Sequence, residues 1–199
     1  RAAGDAAERI AVYDPAQGES EERNMQYATR LRRALEQSAL GLQFTPQLEL
    51  ATGRICGLEC TLSWTDGELG AVPAAQATEA AEASGLVREV TWWVYNSALR
   101  QCAEFARAGI DVRIGLKVNA SGLAQPDFAE FLDRALRTWK VPPGRLVIEI
   151  DETALVAGIE QVKETLSRLK ALGLRLAVDG FGTASSSLSN LAQLPLDEV

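Results

Sequence analysis

There is no histidine anywhere in this chain. That absence removes imidazole general bases, histidine-containing triads and histidine zinc sites in one step. Any chemistry must come from carboxylates, amides, lysines or hydroxyls. Cysteine is nearly as scarce: the only three, Cys56, Cys60 and Cys102, show no close metal-ligand spacing. An odd number of cysteines without secretory features points to reduced thiols and a cytoplasmic setting. No apolar run approaches the roughly 20 residues needed to cross a bilayer, so this segment is expected to make no membrane contact, and no signal peptide is visible. Positive charge is also in deficit. A net charge of −7 makes polymeric DNA or RNA an unfavourable partner, although a local site can still oppose the global field and take a small anion.

What is present is an ordinary globular composition, 47% apolar over 199 residues, enough for one large domain or one domain with an appendage. Arg1 to about Pro15 reads as a helix end and a short strand, Ile10–Tyr13, too small to fold alone. Gly18 to Ser38 is polar with helical spacing. Met25, Ala28, Leu31 and Leu35 mark a stripe that suits a connecting helix packed on the following domain, with a signalling coiled coil as the alternative. A regular rhythm then begins. Leu42–Leu50 and Arg54–Trp64 read as strands joined by the Ala51-Thr52-Gly53 turn, hence a hairpin. Helical stretches follow at Pro73–Ser84 and Leu86–Ala108, then a strand at Val112–Val118 and a helix at about Pro126–Thr138. Another strand, Arg145–Ile150, precedes a helix at Gly158–Leu172, and the strand Arg175–Asp179 leads into a helix near Ser186–Gln193. Such alternation predicts a parallel sheet covered by helices. Pro195–Val199 reads as the start of a further strand. An edge left open there would expose unpaired backbone groups, so a continuation of the domain, or another cover for that edge, is expected.

Side chains alternate across a strand with period two. In each strand one face is apolar and suits the helices; the other is small or polar and should face inward. Glu59, Asn119, Glu149 and Asp179 all fall on the inner face, the last three near the C-terminal ends of their strands. Barrel active sites are built at that end. Three carboxylates and one amide form an all-oxygen set suited to Mg²⁺ or Mn²⁺ rather than zinc. Lys117 shares this face, two residues before Asn119. Its ammonium could neutralise charge that a metal would otherwise balance; the alternatives are an exposed lysine or one paired with Asp151. Asp179 taken alone could equally be a cap or a loop hydrogen-bonder. Gly182 and Ser185–Ser187 fit a phosphate-cradling loop or a plain helix cap. Trp92, Trp93 and Trp139 read as packing groups, and Cys56 and Cys60 as core thiols on the helix-facing side.

Four segments in order resemble motifs of the EAL domain family, bacterial phosphodiesterases of cyclic di-GMP. Glu59-Cys60-Thr61 resembles Glu-Ala-Leu, and Val118-Asn119-Ala120-Ser121 resembles Val-Asn-Leu-Ser. Glu149-Ile150-Asp151-Glu152-Thr153 resembles Glu-Ile-Thr-Glu-Ser, and Asp179-Gly180-Phe181-Gly182-Thr183 resembles Asp-Asp-Phe-Gly-Thr. The resemblance covers about Tyr27–Val199. It implies a TIM-like (β/α) barrel, incomplete here, with five strands plus the start of a sixth and a hairpin as the first strand pair. It also implies a division into residues 1–16 as the end of a GGDEF domain, 17–38 as a linker helix and 39–199 as a truncated EAL barrel. It assigns one Mg²⁺ or Mn²⁺ to Glu59, Asn119, Glu149 and Asp179, and makes Glu152 the support of the loop after the next strand.

The departures are as informative. Gly180 stands where the family has the aspartate of its second metal. Ser63 replaces a phosphate-binding arginine, and serine cannot supply a bidentate cationic fork. Thr45 replaces a glutamine near the ligand, and Lys117 replaces a small inner-face residue. The resulting expectation is a degenerate domain with one metal site at most. It would act as a non-catalytic regulatory module through cyclic di-GMP, a protein partner or a homodimer; the alternative is a weak metal-dependent phosphodiesterase.

Overall fold

The computed structural model of the protein describes residues 15–152, 159–182 and 194–198. The expected strand at Ile10–Tyr13 and the expected helix near Ser186–Gln193 lie outside them, as does the serine run. A first helix, α1 (Pro15–Glu36), leads into the hairpin β1 (Leu40–Leu48) and β2 (Ile55–Asp66), followed by β3 (Gly70–Val72). Two helices come next, α2 (Ala74–Ser84) and α3 (Val87–Arg107), then β4 (Arg113–Val118) and the single turn α4 (Ala120–Leu123). The chain continues through α5 (Phe128–Trp139), β5 (Leu146–Asp151), α6 (Ile159–Ala171) and β6 (Arg175–Asp179). No helix among the described residues is long and apolar enough to cross a membrane.

The strands form one sheet in the order β1-β2-β4-β5-β6, with β3 paired to β2 outside this path. β1 and β3 run antiparallel to β2; β2, β4, β5 and β6 are mutually parallel. The hairpin and the parallel sheet with its covering helices therefore match the sequence reading. The described sheet is open and does not close into a barrel. Its β6 edge carries the beginning of another strand: Val178 N–H donates to the Glu198 carbonyl at 3.1 Å, and Ala177 and Glu198 form a parallel bridge. β3 escapes a periodicity argument because three residues are too few to show alternation. It is set instead by the Asp66 carboxylate, which accepts the N–H groups of Glu68 and Leu69 at 2.9 and 3.0 Å and turns the chain back onto β2. Those two bonds, and the Arg30 guanidinium beyond them, hold the Asp66 carboxyl below its ordinary range.

Two apolar clusters cover the outer side of the sheet. The larger joins Ile114, Leu116, Ile148, Ile150 and Leu176 of the strands to Leu99, Phe128, Leu132 and Leu166 of the helices. These are the alternate residues that the parity argument sends outward. The predicted packing roles of the tryptophans hold: Trp92 stacks on Phe131 with ring centroids 4.6 Å apart, and Trp139 Nε1 donates to Asn96 at 2.8 Å. Cys60 is buried, and burial pushes its thiol up to about 12. Cys56 is only half-buried, its Sγ 3.5 Å from the Gln47 carbonyl, because it lies at the start of β2 below the helix layer; it is not the core thiol expected.

The smaller cluster docks α1. Leu31 and Ala34 meet Trp64, Val72, Ala77 and Ala81, and the Tyr27 ring stands edge-on to Trp64 at 6.2 Å. The helix is thus packed on the sheet and α2, as its apolar stripe suggested, but that stripe is narrower than expected: Met25 is 74% exposed while Leu31 is fully covered. Arg30, paired with Asp66 at 2.9 Å and also with Glu68, holds the same helix over the β2–β3 turn. If α1 is part of the fold, Leu31→Ala should cost about 2–5 kcal/mol through lost burial and a cavity. Met25→Ala should stay within about 0.5 kcal/mol. Urea denaturation of the two variants checks the contrast.

Candidate functional site

The registers place the inner-face residues directly beside one another. Glu59 pairs with Gly115 across β2 and β4, Lys117 with Glu149 across β4 and β5, and Asp151 with Asp179 across β5 and β6. Glu149 is buried near the C-terminal end of β5, as expected, and Glu59 is half-buried within β2. The residue that joins them is Lys117. Its Nζ lies 3.0 Å from Glu59 Oε1 and 3.0 Å from Asp179 Oδ2. Burial would lower the pKa of this ammonium, but the hydrogen bonds and charges of Glu59 and Asp179 outweigh it and the net shift is upward.

Glu149 is held differently. Its Oε1 accepts a hydrogen bond of 3.0 Å from Gln47 Nε2 of β1. Burial raises the Glu149 carboxyl above its ordinary range, and the Gln47 hydrogen bond works against that rise. Two glycines make this arrangement sterically feasible. A Cβ on Gly115 would stand 2.2 Å from Glu149 Oε1, and one on Gly57 would stand 2.6 Å from Gln47 Oε1. Gln47 was not among the sequence candidates. The signal was available: the turn at Ala51–Gly53 pairs Gln47 with Gly57, and residues directly opposite in a hairpin share a face.

Asn119 is the N-cap of α4. Its Oδ1 accepts Gly122 N–H at 2.9 Å and its Nδ2 donates to Glu82 Oε1 at 2.8 Å. Glu152 is buried just past β5 at 1% exposure; the loop it is expected to support lies largely outside the described residues. Gly180 follows Asp179 with φ 71°, and Phe181 beyond it is half exposed. Among the four residues read as a metal set, Glu59 and Asp179 are brought to one point, Glu149 sits beside it, and Asn119 is engaged as a cap. Among the described residues, no group of three or more acidic, cysteine or histidine side chains is arranged to hold a metal ion. As they stand, the residues do not fit a divalent ion: one oxygen each of Glu59 and Asp179 is taken by Lys117, one of Glu149 by Gln47, and Asn119 Oδ1 by Gly122 N–H. A cleft of about 440 Å³ opens next to Lys117 and Asn119, walled by Leu62, Val90 and Val94 with Thr61, Thr78 and Thr91.

Residues 28–199 match the family described as EAL domain. The cyclic di-GMP phosphodiesterase PA2567 of Pseudomonas aeruginosa is 31% identical over 202 residues, covering 100% of this chain and 34% of that relative. The cyclic di-GMP phosphodiesterase PdeR of Escherichia coli is 30% identical over 171 residues, covering 86% of this chain and 26% of its own length. The chain therefore spans about a quarter to a third of these two curated relatives. Among solved structures, the PaMucR phosphodiesterase in its c-di-GMP complex is similar with a TM-score of 0.83 at 29% identity, covering 87% of this chain and 70% of that one. The FimX EAL domain is similar with a TM-score of 0.78 at 25% identity, covering 85% and 68%.

The glycine seats supply a test of the geometry. Gly115→Ala should destabilise the fold by about 1–3 kcal/mol, since the new methyl group displaces a buried carboxylate from its hydrogen bond. Gly57→Ala should cost less, because the far end of the Gln47 side chain can swing away. Thermal unfolding of both variants, followed by circular dichroism, reads the order.

Proposed function

The chain belongs to the EAL domain family, and from that premise we propose that it is a degenerate member, a non-catalytic regulatory module of cyclic di-GMP signalling. It engages the nucleotide or a protein partner without cutting the phosphodiester. The observation that carries this reading is Gly180. EAL domains generally depend on divalent metal, and a two-metal clamp needs carboxylates for both ions, one to stabilise the attacking and one the leaving oxygen. Position 180 supplies none, and its φ of 71° lies in the left-handed region that favours glycine. The backbone of this turn therefore suits the residue present and disfavours an aspartate. Ser63 adds to the loss. It lies on the Glu59 side of β2 without the cationic fork that would grip a phosphate.

What remains supports binding. The cleft beside Lys117 offers apolar walls and threonine hydroxyls, a combination that suits a small ligand. Relatives and a solved neighbour carry cyclic di-GMP in their names, so this is the nucleotide to test first. Contact with a protein, or with a second copy, is supported by the apolar tip of the hairpin, where Leu48, Leu50 and Ile55 are exposed. The module is proposed to sit in the cytoplasm as one part of a longer signalling protein, a GGDEF–EAL protein in the simplest arrangement.

The test is calorimetry with cyclic di-GMP in the presence and absence of Mg²⁺ or Mn²⁺, followed by chromatography of the same mixture. No linear dinucleotide should form. Turnover near 1 s⁻¹ or above, within the ordinary enzyme range, would restore the phosphodiesterase reading. Heat on mixing without product identifies a nucleotide receptor, and no heat leaves a protein-contact module.

A further inference from the structure

Lys117 sits between carboxylates from two other strands. Its own strand, β4, lies beside β2 and is separated from β6 by β5. The ammonium thus reaches Glu59 on one side and Asp179 on the other, at 3.0 Å each. The third carboxylate of the inner set, Glu149, is the register partner of Lys117 and takes its hydrogen bond from Gln47. The fourth residue, Asn119, has its carbonyl oxygen on Gly122 N–H. Each residue that the family resemblance would assign to the first metal is therefore engaged, through at least one of its donor atoms, by a group of the protein itself.

We propose that Lys117 is a resident replacement for that metal: a tethered cation that neutralises the Glu59–Asp179 pair, ties β2 to the end of β6 across the site, and excludes Mg²⁺ and Mn²⁺. The chemistry favours it. An ammonium bonded to two carboxylates makes charge-assisted hydrogen bonds to both. Being covalently attached, it competes from a fixed high local concentration against a free ion. A divalent ion entering at Glu59 and Asp179 would have to break both contacts and leave a positive charge beside itself. Gln47 adds to the substitution by giving the buried Glu149 a neutral donor at Oε1, so each carboxylate of the set already has a protein partner. This inference rests on the family reading of Glu59, Asn119, Glu149 and Asp179 as an inherited metal set, and it names what fills that set now.

The test is Mn²⁺ titration of the chain by calorimetry and by the electron paramagnetic resonance signal of free Mn²⁺, without nucleotide. The wild-type protein should show no saturable Mn²⁺ binding below the millimolar range. Lys117→Ala should bind Mn²⁺ at least tenfold more tightly. Its melting temperature should fall without metal and recover with Mn²⁺, whereas that of the wild type should be indifferent to Mn²⁺. Lys117→Arg, which keeps the charge, should remain indifferent. Adding Glu59→Gln to Lys117→Ala should abolish the gain. Micromolar Mn²⁺ binding by the wild type would overturn the inference even if no variant folds, and so would equal affinities for the wild type and Lys117→Ala. The outcomes separate the two proposals. Tight Mn²⁺ binding by the wild type without hydrolysis sinks the resident cation and leaves the regulatory reading standing. Hydrolysis by a wild type that binds no Mn²⁺ does the reverse.

Discussion

The inner face of this sheet must carry several negative charges close together, and the rest of the site follows from how they are balanced. Glu59 and Asp179 each lie 3.0 Å from the Lys117 ammonium, so their oxygens are no more than about 6 Å apart. Coulomb energy falls inversely with distance. Two attractions at 3.0 Å exceed one repulsion at any separation that two non-bonded oxygens can adopt, whatever the effective dielectric. The side chain of Lys117 is about half exposed at 51%, so water screens the absolute gain and keeps it near that of other accessible ion pairs. The sign is what matters: without a cation at this point, Glu59 of β2 and Asp179 at the end of β6 would repel. The same solution recurs lower on the face. Arg113 of β4 and Arg175 of β6 both reach Glu198 Oε1, at 2.9 and 2.8 Å, bracketing a charge of the opposite sign in the same manner.

Small residues make room for this balance. A side chain at position 115 would stand where the Glu149 carboxylate lies, and one at 57 would stand where the Gln47 amide lies. The outer face has no such freedom. There Ile114, Leu116, Ile148, Ile150 and Leu176 are essentially fully covered by the helices, and close packing fixes the strand registers. A one-residue slip in β4 would send Lys117 into the apolar core and Leu116 into the polar face. Packing on one side thus enforces electrostatic geometry on the other. That is how a hydrophobic pattern positions a charged site.

Much of this was legible in the sequence because period-two alternation is a strict geometric rule. Parity alone put Glu59, Lys117, Glu149 and Asp179 on one face, and the registers agree with it. The fold class was legible for the same reason, since four strands alternate with helices of ordinary length. The failures share another cause: they depend on what a side chain does at the end of an element. Asn119 has the right parity, yet at the last position before α4 its amide satisfies the helix N-terminus, a role that strand periodicity does not encode. The strand Gly70–Val72 is too short to carry a pattern and rests on hydrogen bonds of Asp66. Met25 lies about 1.7 turns of helix before Leu31 and is left exposed where Leu31 is covered. Gln47 escapes the parity reading because that reading covers only the parallel strands, and Gln47 lies on the antiparallel strand β1.

A cation between Glu59 and Asp179 is favoured by the charge pattern whether or not any reaction takes place. This separates two properties that a metal would combine. A divalent ion would neutralise the carboxylates and also polarise a bound phosphoryl oxygen; an ammonium neutralises them and leaves the chemistry without its Lewis acid. A lysine at position 117 therefore preserves the shape of the strand ends independently of metal supply. The structural demand for positive charge and a catalytic demand for metal are therefore separable in this fold, and an ammonium can meet only the first. A domain that satisfies the first from within keeps the form of its relatives whether or not it satisfies the second.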